Sequence, residues 1–221
     1  MNSTMGTKRA DTYADHIARA KRWIELSVNG ADHSAVSYCA LELRFAVERF
    51  CLEMLVAYGG PSVDETERIR SFDFVRNRIY GLLGHQRRID RHFEFARILL
   101  RCLSVEDSLP TPNIGDLHRL WHDCSELLHV TWPLAAALEE RSGEQAVATL
   151  LAGVAYLSSF ATALKWPVLQ TDATSGLARK FIDEELTAEE VESEIRRIGL
   201  YAVEQRGNAA ARFVGKAVPP S

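Results

Sequence analysis

Three of the chain's seven histidines fall within twelve residues, in "HRLWHDCSELLH", His118 to His129. Imidazoles gathered this way can ligate a metal, move protons, or line a solvated helix edge. At about 100° per residue, Leu117, Leu120, Trp121, Cys124, Leu127, Leu128 and Thr131 share one arc and read as the core face. His118, His122, Ser125 and His129 share a second arc roughly 60° wide, and Arg119, Asp123 and Glu126 form a third, more exposed one. His118 and His122 have the i, i+4 spacing that lets two rings reach one metal. The stretch lacks the HExxH pattern that would supply a base beside that metal, so no metal site is assigned. Acid/base chemistry needs less, because an imidazole exchanges a proton near neutral pH with a reacting hydroxyl. A solvated or dimer-facing edge is the remaining reading, and all three stay open at this point.

A second candidate lies in the distribution of charge. The net charge is −4, but residues 68–101 hold nine arginines against Asp73, Asp90 and Glu94, while residues 183–194 hold seven acids and no base. The basic window is interleaved with Phe72, Phe74, Tyr80, Phe93 and Phe95. Guanidinium forks match phosphate and aromatic rings stack on unpaired bases, so Arg76, Arg78, Arg87 and Arg88 are expected to contact RNA. In the competing arrangement the rings are a core stripe, and the arginines are its edge, paired with the acidic segment in one molecule or across a dimer.

These residues must be positioned by helices. Apolar residues recur with a helical period almost throughout, with no sustained strand alternation, which predicts an all-α helical bundle. A first helix over roughly 11–28 stops at Asn29-Gly30. A second runs from Asp32 or Ser34 to Tyr58, apolar enough to be central, with Val36, Ala40, Leu43, Val47, Phe50 and Met54 on one face and Leu41, Phe45, Leu52 and Leu55 on another. Ser62 with Glu65 and Thr187 with Glu190 have capping-box spacing. The region between them breaks around Gly81 and Gly84 and resumes over about 86–103, and "SVEDSLPTPN" is a linker. Asn113 caps the histidine helix, with Asp116 in its first turn, and Pro133 kinks or interrupts it. A further helix over about 143–165 ends at Trp166-Pro167. Residues 1–170 are expected to form the bundle, and 171–221 a helical extension packed on it with a frayed tail.

Length and composition agree with a soluble globular protein: 221 residues, 47% hydrophobic and 25% charged exclude disordered and fibrous classes. The four cysteines, Cys39, Cys51, Cys102 and Cys124, form no CxxC pair and read as reduced, buried thiols. There is no apolar leader at the N-terminus, and "TLLAGVAYLSSFATALKW" is too polar a mixture to span a membrane. The expected location is cytoplasmic.

Taken together, "YCALELRFAVERF" and "LWHDCSELLH" resemble helical-bundle proteins of the HEPN superfamily, over about residues 13–132. The resemblance implies a dimeric helical bundle from a prokaryotic antiviral or toxin–antitoxin system. It also implies a metal-independent RNase or a non-catalytic module binding RNA or a protein partner, with no cofactor. The superfamily's catalytic motif is an arginine and a histidine separated by four to six residues. Arg9 with His16, Arg78 with His85 and Arg87 with His92 have that spacing. His129 best matches the family's histidine in position, but the nearest preceding arginine, Arg119, is ten residues back. The candidate catalytic set is therefore Arg78, His85, Arg119, His122 and His129.

Overall fold

The computed structural model describes residues 11–57, 72–104, 109–129, 142–161, 172–198, 201–204 and 212–216. Among them lie eight helices: α1 (Tyr13–Leu26), α2 (His33–Ala57), α3 (Phe72–Leu83), α4 (Gln86–Cys102), α5 (Ile114–Glu126), α6 (Ser142–Ala161), α7 (Asp172–Ile182) and α8 (Ala188–Ile198). The class is all-α. Ser62 with Glu65, Arg9, Arg68, Arg70, Pro133 and Trp166-Pro167 lie outside the described residues.

Local chemistry explains the helix ends. Thr12 caps α1 through a reciprocal box in which Asp15 takes the third helical position and its carboxylate accepts from the Thr12 amide at 2.8 Å. Thr187 and Glu190 form the expected box on α8, with the Thr187 amide donating to Glu190 Oε2 at 2.8 Å and the Glu190 amide to Thr187 Oγ1 at 3.3 Å. After α1, Val28, Asn29 and Gly30 are all left-handed (φ 50°, 55° and 93°), which reverses the chain into α2. The α3 helix passes straight through Gly81, and only Gly84 (φ 82°) interrupts it. Gly81 needs no special conformation, so its flexibility is no reason for a break.

By contacts, the chain forms two compact units that are discontinuous in sequence: residues 1–78 with 114–162, and residues 79–113 with 163–221. The expected sequential division near residue 170 does not coincide with this grouping. In the first unit α2 packs against α1, α5 and α6. Its Val36, Cys39, Ala40, Leu43, Val47, Phe50 and Met54 are buried, and full burial of such a side chain is worth about 1.5–3 kcal/mol. Phe50 meets Tyr13 edge-on at 5.3 Å and Phe160 at 4.9 Å, while the Tyr13 hydroxyl donates to the Phe160 carbonyl at 3.0 Å. Of the expected second apolar face of α2, Leu55 is buried but Phe45 is 41% exposed. In the second unit α4, α7 and α8 share a core of Phe95, Ile98, Leu99, Leu177, Phe181, Val191 and Ile195.

The tail departs from expectation. Tyr201–Glu204 (β1) pairs antiparallel with Arg212–Lys216 (β2), with an irregularity in register between Ala202 and Val203. Segments of four and five residues are too short to show a period of two above background, which is why the tail reads as frayed from sequence. No helix among the described residues is long and apolar enough to cross a membrane.

Candidate functional site

The site is built on α5, whose buried stripe is Ile114, Leu117, Leu120 and Cys124. Burying that stripe turns the adjacent arc, with His118 and His122, towards the N-terminal turns of α3. Trp121, at the border between core and surface, donates its indole N–H to Glu48 Oε1 on α2 at 2.8 Å. Arg44 donates to the same oxygen at 3.3 Å, and its guanidinium carbon lies 4.4 Å from the centre of the Trp121 ring. An indole N–H this deep requires a partner, and a carboxylate shared with a cation over the ring supplies one.

Beside this anchor lie the chemically versatile groups. Phe72, the first residue of α3 and buried, stacks on His118 (5.5 Å between ring centres, 25° between planes) and on Trp121 (5.8 Å, 27°). Arg76, one turn further along, places Nη1 at 3.3 Å from His118 Nε2. A guanidinium only donates, so Nε2 accepts and the ring proton resides on Nδ1. Asp73 Oδ1 lies 3.0 Å from Arg76 Nη2 and 3.6 Å from His118 Nε2. His122 stands edge-on to His118 at 4.6 Å and to Trp121 at 5.3 Å. Partial burial holds His118 below the ordinary imidazole range; the Arg76 guanidinium and then His122 push the same way, against the opposing pull of Asp73. His118 is thus a neutral imidazole held against a cation, beside a second, exposed imidazole.

The other expected residues are placed differently. The α5 helix ends at Glu126, followed by a turn and a bend, so His129 leaves the helical arc. The alignment of three histidines therefore holds for His118 and His122 and fails for His129. Arg119 is exposed and pairs with Asp116 at 3.3 Å. His85 is exposed at the N-cap of α4 without a side-chain capping bond, its ring 6.2 Å from Tyr80. Arg78 is half-buried and falls in the first compact unit, His85 in the second. Arg87 and Arg88 are exposed but ion-paired with Glu184 at 2.6 Å and Asp183 at 2.7 Å. Arg101 reaches Glu192 at 3.2 Å, and Arg91 lies 3.8 Å over the Phe181 ring. Phe93 and Phe95 are buried. In α4, therefore, Phe93 and Phe95 form core, Arg87, Arg88 and Arg101 form an edge that the acidic segment neutralises, and Arg97 is held instead by the Leu109 carbonyl and the Thr111 hydroxyl.

Sequence reading did not single out Asp73, Glu48 or Arg44 as site members, and it named Phe72 only as one of the rings interleaved in the basic window. The i, i+4 spacing of Arg44 and Glu48 was visible, but their convergence on Trp121 spans 73 residues. A second polar cluster joins His16, Arg19 and Glu42, with Glu42 Oε2 at 2.7 Å from His16 Nδ1 and 2.9 Å from Arg19 Nε.

Among the described residues no group of three or more His, Cys, Asp or Glu is arranged to hold a metal. All four cysteines are buried and unpaired, and burial pushes the Cys39 and Cys124 thiols up to about 12. A thiol held that high supplies no thiolate at neutral pH, which removes both as nucleophiles. No family model, curated protein or solved structure matches the chain.

Proposed function

We propose that this chain binds RNA phosphodiesters at the Arg76–His118–His122 cluster and cleaves them by metal-independent acid/base chemistry, within a prokaryotic defence or toxin–antitoxin system. The observation that carries the reading is the Arg76 guanidinium 3.3 Å from His118 Nε2, with the His122 ring 4.6 Å beyond. Arg76 offers a fork suited to two phosphate oxygens and stabilises the charge that accumulates on phosphorus as it becomes five-coordinate. His122, exposed and not drawn onto Arg76, takes the proton from a ribose 2′-hydroxyl. The 2′-oxygen then forms a bond to phosphorus, the bond to the 5′-oxygen breaks, and that oxygen takes the proton that His122 carries, which returns the imidazole to its starting state. The products are a 2′,3′-cyclic phosphate and a 5′-hydroxyl, with no redox change and no added co-reactant. The defence setting rests on the family resemblance alone.

The occupied lone pair of His118 favours a second reading, a binding module without catalysis. As long as Arg76 donates to Nε2, that nitrogen accepts no further proton, and one imidazole is left to serve both ends of the reaction. Incubating wild type and His122→Ala with labelled single-stranded RNA in EDTA separates the two. Cyclic-phosphate ends produced by wild type and lost in the variant support the enzyme. RNA retained uncut by both proteins supports the module.

A further inference from the structure

The Asp73 carboxylate has an ambiguous position. It opens α3, where a negative charge suits the helix dipole, and pairs with Arg76 at i, i+3. Those two roles would explain its presence on any surface helix. Neither explains why the same oxygen that lies 3.0 Å from Arg76 Nη2 also lies 3.6 Å from His118 Nε2, with its side chain 65% exposed to solvent. An anionic oxygen on the outer edge of a guanidinium, open to water on its far side, is where a bound phosphate would place one of its own; the His118 Nε2 beside it accepts from Arg76 and offers that oxygen no hydrogen bond.

We infer that Asp73 is a built-in competitor at this site: its carboxylate holds the position of a phosphate oxygen on the Arg76 guanidinium, beside His118, and a phosphate group binds by displacing it. The inference rests on the proposed RNA reading for the identity of the ligand and adds a gate to it. Arg76 is the shared element. Its Nη2 is committed to Asp73 and its Nη1 to His118, so an incoming phosphate must exchange at least one of those bonds, and the solvent-exposed carboxylate leaves more easily than the stacked imidazole. The remaining charged or titratable neighbours do not replace Asp73. On α5 they are His122, and Arg119 with its own partner Asp116. On α2, Arg44 and Glu48 are committed to each other and to Trp121. The gate would keep Arg76 masked against weak anions and release it to a ligand that brings a phosphate together with further contacts.

The test follows His118 imidazole nitrogen resonances during titration with inorganic phosphate and, separately, with an uncleavable 2′-deoxy-substituted oligouridylate, at fixed pH and low salt. Wild type, Asp73→Asn, Asp73→Glu and Arg76→Ala are compared, with helicity checked in each. Removing an exposed competing ion pair should tighten binding of both probes by about two- to fivefold in Asp73→Asn. Asp73→Glu should stay near wild type, and Arg76→Ala should lose the response. If Asp73→Asn binds phosphate more tightly but no variant binds the oligonucleotide, the gate stands and the RNA reading falls. If the oligonucleotide binds but Asp73→Asn leaves both affinities unchanged, the gate is refuted and the RNA reading survives. A His118 signal that neither probe moves in any variant refutes the gate outright.

Discussion

His92 and His118 are both held below the ordinary imidazole range, by different means. His118 is lowered by partial burial together with the Arg76 guanidinium and His122. For His92, burial alone lowers the value from 6.5 to about 4. A histidine depressed on folding costs the protein nothing above its unfolded value, because there both states are neutral and folding carries no proton penalty. As pH falls below 6.5 the unfolded chain takes up a proton that the folded one refuses, and stability drains away until about pH 4. The shift sets a ceiling of about 3 kcal/mol on what His92 withdraws over that window. Urea denaturation at pH 7 and pH 4.5 should show wild type losing stability and His92→Gln losing distinctly less. Equal losses would mean that His92 is not the group responsible.

At the scale of elements, the turn between α1 and α2 is more constrained than a surface loop. Gly30 has φ 93°, and a Cβ added to it would overlap the carbonyl group of Gly143 at the start of α6. Gly30→Ala should therefore cost about 2 kcal/mol or more, from backbone strain and displacement of a neighbouring main chain that cannot rotate away. Thermal unfolding would read this directly, and a variant as stable as wild type would show that the two backbones do not approach so closely. The same turn illustrates what sequence reveals. Asn29-Gly30 marked the end of α1 and Thr187 with Glu190 marked the start of α8, because caps are local chemistry between residues three or four apart. The arc shared by His118 and His122 was legible for the same reason. His129 was misplaced because the helix ends at Glu126, and nothing between Ser125 and His129 is a strong stop. The contact between Arg76 and His118 spans 42 residues, so helical periodicity puts each on its own surface but does not bring the two surfaces together. The strand pair at the tail escaped notice because short segments carry too little pattern.

Across the whole molecule, the separation of charge along the chain resolves into two different situations. Within the second compact unit, Arg87, Arg88 and Arg101 face Glu184, Asp183 and Glu192, so much of the basic excess in the sequence is already neutralised by the acidic segment. Within the first, Arg76 shares Asp73 with a histidine beside a stack of aromatic rings. On the proposed reading, RNA is therefore contacted by Arg76 and its neighbours and not by the whole basic window. The most direct test is equilibrium binding of labelled single-stranded RNA over a range of salt concentrations, for wild type, Arg76→Ala and the double variant Arg87→Ala/Arg88→Ala. Arg76→Ala should bind more weakly at every salt concentration, with the slope of log affinity against log salt reduced by about 0.7, one phosphate contact on a single strand. The double variant should lose less than that. No measurable binding by wild type would contradict the account, as would an Arg76→Ala variant that matches wild type while the double variant loses affinity.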